Sequence, residues 1–277
     1  ILEIAEEGQK LGMELFVLDD GWFGKRDDDN TSLGDWIVDK RKLPNGLEAL
    51  AQKIVDMGIE FGLWFEPEMV SLDRDLYRAH PDWCIHVPNR PYTFGRNQLV
   101  LDLSRQDVCD YIVDSVSKIL ESAPITYVKW DMNRHITDIG SALLPANQQE
   151  ETSHRYMLGL YDVMERLTTK FPHILFESCS SGGGRFDPGM LYYMPQTWTS
   201  DNTDAICRTK IQYGTSLVYP PVTMGCHVST VPNHQVGRIT PLETRGNVAM
   251  AGNFGYELDL TKLTDEEKEI VKAQIEE

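Results

Sequence analysis

The sequence lacks the features that mark several common protein classes. Its 277 residues contain no signal-peptide pattern and no apolar run near the roughly 18 residues that a membrane helix needs. Its 5 cysteines are odd in number and show no C-x-x-C spacing, which disfavours a disulfide framework or a zinc site and predicts reduced thiols in a cytoplasm. Positive charge is scarce, because 26 Lys and Arg face 43 Asp and Glu, a net charge of −17. That balance disfavours nucleic acid and an anionic membrane as partners.

Apolar strand-like runs alternate along the chain with amphipathic segments of helix length. Parallel strands need crossover connections, so this alternation predicts an α/β fold with a parallel sheet. The seven runs are LFVLDD (15–20), FGLWFEPE (61–68), ITYVKWD (125–131), HILFESCSS (173–181), QTWTSD (196–201), PVTMGC (221–226) and NFGYELDL (253–260). QLVLDLS (98–104) follows a loop-like segment, and we expect it to lie outside the sheet.

The start of the chain bears on the kind of sheet. Ile4, Ala5, Gly8 and Leu11 follow helical spacing, and the chain does not begin with Met. Since a crossover helix needs a strand before it, we expect a (β/α)8 TIM barrel whose first strand is missing from this piece. An open doubly wound sheet is the alternative, but no G-x-G-x-x-G lies at a strand–helix turn to support it.

Chemically capable side chains cluster at the carboxyl ends of the predicted strands. In a barrel these ends open onto one mouth, where barrel enzymes carry out their chemistry, so the pattern predicts an enzyme. The side chains are Asp19, Asp20, Trp22, Trp64, Glu66, Glu68, Lys129, Asp131, Glu177, Cys179, Trp198 and Asp201.

The mixture of acids and tryptophans is typical of a carbohydrate site. Carboxylates accept hydrogen bonds from sugar hydroxyls, and aromatic faces stack on the apolar face of a pyranose. Cleavage of a glycosidic bond needs two carboxyl groups. A Mg²⁺ or Ca²⁺ site built from Asp19, Asp20 and Glu66 is the alternative use of the acids, but the ammonium of Lys129 in the same mouth would oppose a cation.

The run ITYVKWDMNRH (125–135) places Lys129 and Asp131 two residues apart, on one face of a strand. We expect a rigid strand end to hold Asp131 as a nucleophile, with the charge of Lys129 keeping it ionised. Pro67 between Glu66 and Glu68 indicates a rigid turn, so these two acids are expected to be structural rather than catalytic.

Ten motifs, in order from Leu15 to Leu260, resemble the catalytic barrel of the glycoside hydrolase family 36 α-galactosidases. They are FVLDDGWFGKR, SLGDW, GLWFEPEMVS, HPDW, YVKWDMNR, ESCSSGGGRFD, WTSDNTDAICR, MGCHVS, PNH and GNFGYELDL. The resemblance implies that Asp131 is the nucleophile and Asp201 the acid/base. It also implies a substrate-binding set: Asp19 and Asp20 on O4 and O6, Lys129 and Arg96 on ring hydroxyls, Cys179 and the Gly182 backbone against O2, and Trp64 and Trp198 at the pocket.

The resemblance further implies a retaining exo-α-galactosidase that acts on α-1,6-linked sugars such as melibiose and raffinose, without metal or organic cofactor. In the family, a β-sandwich domain precedes the barrel and a small β-domain follows it, so residues 1–277 are expected to be the barrel alone, within a homotetramer. Two alternatives stay open. A galactosyltransferase would use the same two aspartates, whereas a non-catalytic sugar-binding barrel is disfavoured because Asp131 and Asp201 are both present.

Overall fold

The computed structural model describes residues 1–277 and contains nine strands and nine α-helices. The strands are β1 (Leu15–Leu18), β2 (Glu60–Phe65), β3 (Met69–Ser71), β4 (Gln98–Val100), β5 (Tyr127–Trp130), β6 (Leu175–Ser178), β7 (Gln196–Trp198), β8 (Met224–Ser229) and β9 (Asn253–Glu257). The helices are α1 (Leu2–Leu11), α2 (Gly46–Asp56), α3 (Asp75–Ala79), α4 (Gln106–Leu120), α5 (Thr152–Lys170), α6 (Pro188–Tyr193), α7 (Ala205–Ser216), α8 (Leu242–Ala249) and α9 (Asp265–Glu276).

Seven of the strands form one sheet in the order β1-β2-β5-β6-β7-β8-β9. Strand β8 pairs in parallel with both β7 and β9, and β6 pairs in parallel with β7. All seven coincide with the apolar runs predicted from the sequence, so the α/β assignment is confirmed. Closure into an eight-stranded barrel stays a prediction, because the sheet of this chain has seven strands.

Strands β3 and β4 form a separate antiparallel pair, with Met69 opposite Val100 and Ser71 opposite Gln98. The QLVLDLS run therefore lies outside the main sheet, as its position after a loop predicted. All six residues of the pair are buried, which fixes the polar Gln98 inside the protein.

The chain divides into two compact units. The first comprises residues 1–16, 53–62 and 176–277, and the second comprises residues 17–52 and 63–175.

The first unit has an apolar core around strand β8. Met224, Cys226 and Val228 alternate along the strand and pack with Leu11 of α1 and Val271 of α9. Burying a side chain of this size stabilises a fold by about 1.5–3 kcal/mol. The final helix begins at the predicted capping box, in which Thr264 accepts from the Glu267 backbone and Glu267 accepts from the Thr264 backbone.

The second unit has an aromatic core. Trp22, Phe23 and Trp36 follow β1, and their rings pack with Trp64 and Phe65 at the end of β2, with centroids 4.5 to 6.5 Å apart. The indole N–H of Trp22 donates to the Trp64 carbonyl at 2.8 Å. These contacts fix the β2 strand end, which carries Trp64 and Glu66. None of the nine helices combines the length and the apolar character that crossing a bilayer requires.

Candidate active site

Asp131 lies directly after β5, is 6% exposed, and has three N–H donors on its carboxylate. Met132 donates from its backbone to Oδ1 at 2.8 Å, while Trp64 Nε1 and Asn133 Nδ2 donate to Oδ2 at 3.2 and 2.7 Å. The backbone N–H of Asp131 donates to the Phe65 carbonyl at 2.7 Å. These donors on both carboxylate oxygens hold the side chain in one orientation.

Lys129 and Asp19, both predicted site residues, form an ion pair. Nζ of Lys129 donates to Oδ2 of Asp19 at 2.8 Å, across 110 positions of sequence. The Asp19 side chain is 57% exposed, so the pair lies at the surface of the unit. The Lys129 ammonium therefore bonds to Asp19. The sequence pattern had instead led us to expect that its charge acts on Asp131.

Asp20 is held by Arg26, a residue that sequence reasoning missed. The fully buried Arg26 guanidinium donates through Nε and Nη2 to the Asp20 carboxylate, the Nη2 contact measuring 2.7 Å. Its Nη1 donates to the Thr31 carbonyl at 2.6 Å. Because Arg26 stands at the edge of the charged run KRDDDN, its sequence context is that of a solvated loop and gave no sign of burial.

Glu66 and Glu68, on either side of Pro67, are both fully buried. Oε1 of Glu66 accepts from Gln98 Nε2 at 2.8 Å and from the Asn133 backbone at 2.6 Å. Burial, together with the negative charge of Asp131, raises the pKa of Glu66 to about 7. Glu68 accepts from Trp130 Nε1 at 2.8 Å and from the Tyr156 hydroxyl.

Arg96 lies in the loop before β4 and adopts a left-handed backbone conformation with φ of 49°. Its Nε is 3.5 Å from a carboxylate oxygen of Asp29, and the side chain is 38% exposed. An exposed guanidinium with a surface partner is free to exchange that partner for another, since such pairs contribute little to stability.

In the first unit, Asp201 follows β7 and is bonded to the tryptophan of the same strand. Trp198 Nε1 donates to Oδ1 of Asp201 at 3.1 Å, and Gln235 Nε2 donates to the Asp201 carbonyl at 2.6 Å. The indole of Trp198 is 4% exposed and lies under the Arg208 guanidinium at 4.2 Å from the ring centroid.

Arg208 in α7 braces the segment that carries Asp201. Its guanidinium is buried and donates to the Ser200 carbonyl and the Thr199 hydroxyl at 2.6 Å each, and to the Asn202 carbonyl at 2.9 Å. These three acceptors, at residues 199, 200 and 202, restrain the backbone on both sides of Asp201. The sequence gave no sign of this role, because Arg208 reads as one of the polar positions of a helix.

The segment CSSGG packs its glycines against the same loop. Gly182 has φ of +85°, and a Cβ there would lie 2.6 Å from Ser200 Cα and 3.0 Å from the Asp201 backbone nitrogen. Only glycine fits a position that is both left-handed and this close to another backbone. Cys179, at the start of the segment, is 2% exposed and is not part of a disulfide.

The structure therefore brings the predicted site residues together in two groups. Within the second unit, Trp64 contacts Asp131 and Lys129 contacts Asp19, while Asp20 is held by Arg26. Within the first unit, Trp198 and Gly182 contact Asp201 or its backbone. Each aspartate expected to be catalytic accepts a hydrogen bond from a tryptophan indole.

The chain belongs to the Melibiase family, whose sequence profile matches residues 1–277. This match, the sequence relatives and the solved structures of glycoside hydrolase family 36 enzymes together confirm the resemblance to that family. The chain is 70% identical over 275 residues to alpha-galactosidase AgaA of Geobacillus stearothermophilus, covering 99% of this chain and 38% of that protein. It is 59% identical over 274 residues to alpha-galactosidase Mel36A of Lactobacillus acidophilus, covering 99% of this chain and 37% of that protein.

Solved structures agree with the sequence relatives. The crystal structure of AgaA superposes with a TM-score of 0.99 at 70% identity, covering 100% of this chain and 38% of the crystallised one. A substituted AgaA in complex with raffinose superposes with a TM-score of 0.98 at 70% identity, covering 99% of this chain and 38% of that chain. This chain thus spans well under half the length of the relatives it matches.

Proposed function

We propose that the protein containing this chain is an α-galactosidase that hydrolyses terminal α-1,6-linked galactose from melibiose and raffinose-type oligosaccharides. The observation that carries the proposal is the pair of strand-end aspartates, Asp131 and Asp201, each held by an indole N–H. Glycoside hydrolysis requires two oriented carboxyl groups in separate roles. AgaA, at 70% identity, binds raffinose and stachyose in crystals of its variants, which supports this substrate class.

The proposed reaction is a double displacement with retention. The Asp131 carboxylate attacks the anomeric carbon while protonated Asp201 gives its proton to the leaving glycosidic oxygen, so the C–O bond breaks as the galactosyl ester forms. Asp201, now ionised, takes a proton from water, whose oxygen attacks the anomeric carbon and displaces Asp131. Galactose leaves in the α configuration, and both aspartates return to their starting protonation states.

The proposed galactose-binding residues supply hydroxyl partners and apolar walls. Asp19 and Asp20 accept from the O4 and O6 hydroxyls, and Lys129 and Arg96 donate to ring oxygens. An ion pair such as Lys129–Asp19 presents a donor and acceptors side by side, a combination that suits a sugar hydroxyl. The pocket walls in this proposal are Trp64, Trp198, Cys179 and Gly182.

The proposal extends to the setting of the chain. Residues 1–277 belong to a (β/α)8 barrel that is the catalytic domain, accompanied in the whole protein by an N-terminal β-sandwich and a C-terminal β-domain. The assembly is a homotetramer in the cytoplasm. The AgaA and Mel36A relatives, which are more than twice as long as this chain, support the existence of further domains.

Azide rescue tests the roles of the two aspartates in the full-length protein. Asp131→Ala should lose several orders of magnitude in kcat on every α-galactoside. Asp201→Ala should keep partial activity on aryl galactosides with acidic phenols, which leave without protonation, and added azide should restore turnover by displacing Asp131 from the β-linked ester to form α-galactosyl azide. Azide rescue of Asp131→Ala that yields β-galactosyl azide, the product of a single displacement, would support its role as nucleophile. Equal rescue of Asp201→Ala on substrates with good and poor leaving groups would contradict the assignment of the acid/base.

A further inference from the structure

Glu66 is a buried acid that shares a buried cation with another carboxylate. The nearby guanidinium belongs to Arg26, whose Nη2 is 4.0 Å from Oε2 of Glu66 but 2.7 Å from the Asp20 carboxylate. Arg26 therefore neutralises Asp20, and a third carboxylate, Asp131, is also buried in this unit. A buried charge that is only partly neutralised is costly, so burial and the neighbouring charge of Asp131 favour the protonated form of the Glu66 carboxyl.

The hydrogen bonds of Glu66 show where this proton belongs. Oε1 accepts two N–H groups, from Gln98 and from the Asn133 backbone, whereas Oε2 is buried and makes no hydrogen bond. An oxygen that already accepts two donors is the poorer site for a proton, so protonation of Glu66 on Oε2 is the form that leaves both bonds to Oε1 intact. Glu66 is then a neutral acceptor with a fixed direction.

Asn133 connects Glu66 to Asp131. Its backbone N–H donates to Oε1 of Glu66 at 2.6 Å, and its side-chain amide donates to Oδ2 of Asp131 at 2.7 Å. Because the Asn133 side chain is short, holding its backbone on a buried carboxyl also restricts the position of its amide group. The amide of Asn133 is thereby aimed at the oxygen that also receives the Trp64 indole.

We infer that Glu66 is a positioning residue for Asp131, acting as a neutral carboxyl that anchors Asn133, and that activity falls when Glu66 ionises. The inference rests on the proposed function of Asp131 as nucleophile. The charged and titratable groups around Glu66 are Asp131 after β5, Arg26 with Asp20 after β1, and Glu68 two residues along its own segment; Gln98 of β4 is neutral. An ionised Glu66 would repel the negative charge of Asp131 within a buried setting, and Asn133 would be drawn toward the newly charged carboxylate.

The pH dependence of kcat/KM in the full-length protein tests the inference. An aryl α-galactoside with an acidic phenol needs no proton from Asp201. With this substrate, the fall of kcat/KM at high pH, which we call the alkaline limb, does not depend on the ionisation of Asp201. We expect wild type to lose kcat/KM with a midpoint near neutral pH. Glu66→Gln, which cannot ionise, should lower kcat/KM by about threefold at pH 6 and move the alkaline limb up by at least about one pH unit.

Two further variants separate positioning from bulk stability. Glu66→Ala removes the anchor of Asn133 and should lower kcat by at least about a hundredfold with little change in KM, since small misplacements of reacting groups have effects of this size. Glu68→Gln is the matched control, because Glu68 is as deeply buried but bonds Trp130 and Tyr156. It should lower the melting temperature without moving the alkaline limb.

An alkaline limb at the same pH in wild type and Glu66→Gln, or an equal shift in Glu68→Gln, would overturn the inference. If Glu66→Gln fails to fold, the inference is tested by infrared titration of wild-type protein labelled with carboxyl-¹³C glutamate. The inference requires a protonated buried carboxyl that loses its proton near neutral pH, and a spectrum with every glutamate ionised at pH 6 would contradict it. That titration needs no turnover, so it distinguishes failure of this inference from failure of the proposed α-galactosidase activity.

Discussion

Trp198 donates its indole N–H to the Asp201 carboxylate at 3.1 Å, three residues along the same chain segment. The pair is fixed from one side by the Arg208 guanidinium, which covers the indole and bonds the backbone next to Asp201. The proposed acid/base is therefore held by an indole bonded to its carboxylate and by a cation that restrains its loop. This arrangement predicts that the loop, and not the aspartate alone, governs proton delivery.

Arg208→Lys should weaken proton delivery by Asp201. A lysine ammonium cannot reach the Thr199 hydroxyl and the Ser200 and Asn202 carbonyls together, because it lacks the planar fork of a guanidinium. We expect kcat to fall by about tenfold to a hundredfold on substrates with poor leaving groups. The fall should be several times smaller on aryl galactosides with acidic phenols.

The matched control for Arg208 is Arg166→Lys, at a partly exposed arginine of α5 that bonds Asp110 and Asp162. Surface ion pairs of this kind contribute little, so its kinetics should equal those of wild type. A loss in Arg208→Lys that is the same for good and poor leaving groups would show that Arg208 does not act through the acid/base.

Gly182→Ala should displace the Asp201 segment. The added Cβ would lie 2.6 Å from Ser200 Cα, and alanine disfavours the φ of +85° found there. We expect kcat to fall by at least about a hundredfold, measured on raffinose by galactose release. Gly214→Ala is the control, because a Cβ at this position of α7 meets no atom within 4 Å, and it should leave kcat unchanged while stabilising the helix by about 0.5–1 kcal/mol. Near-normal turnover in Gly182→Ala would contradict this prediction, because it would show that the added methyl group does not displace Asp201.

The sequence predicted the strands and the strand-end acids well, because both depend on local patterns. Apolar runs located all seven strands of the sheet, and the Thr264–Glu267 spacing located the start of α9. Arg26 and Arg208 escaped prediction, since nothing local marks an arginine whose charge is buried by distant parts of the chain. The same holds for Gln98, which meets Glu66 only because β4 folds back on β3.

Glu66 should make stability depend on pH in a direction opposite to that of most acids. Its pKa is raised to about 7 in the folded protein, against an ordinary value of 4.5, so the unfolded chain ionises first as pH rises. Stability therefore falls between pH 4.5 and 7, by at most about 1.4 kcal/mol per pH unit. The melting temperature of Glu66→Gln minus that of wild type should grow across this window, as followed by calorimetry. A difference that stays constant from pH 4.5 to 7 would show that Glu66 ionises normally in the fold.

The anomeric form of the first product tests the central claim most directly. Full-length protein acting on an aryl α-galactoside in D₂O can be followed by ¹H NMR before mutarotation mixes the anomers. Double displacement through Asp131 predicts that α-galactose appears first. Release of β-galactose as the first product would contradict the account, because it would require Asp131 to activate water in a single displacement.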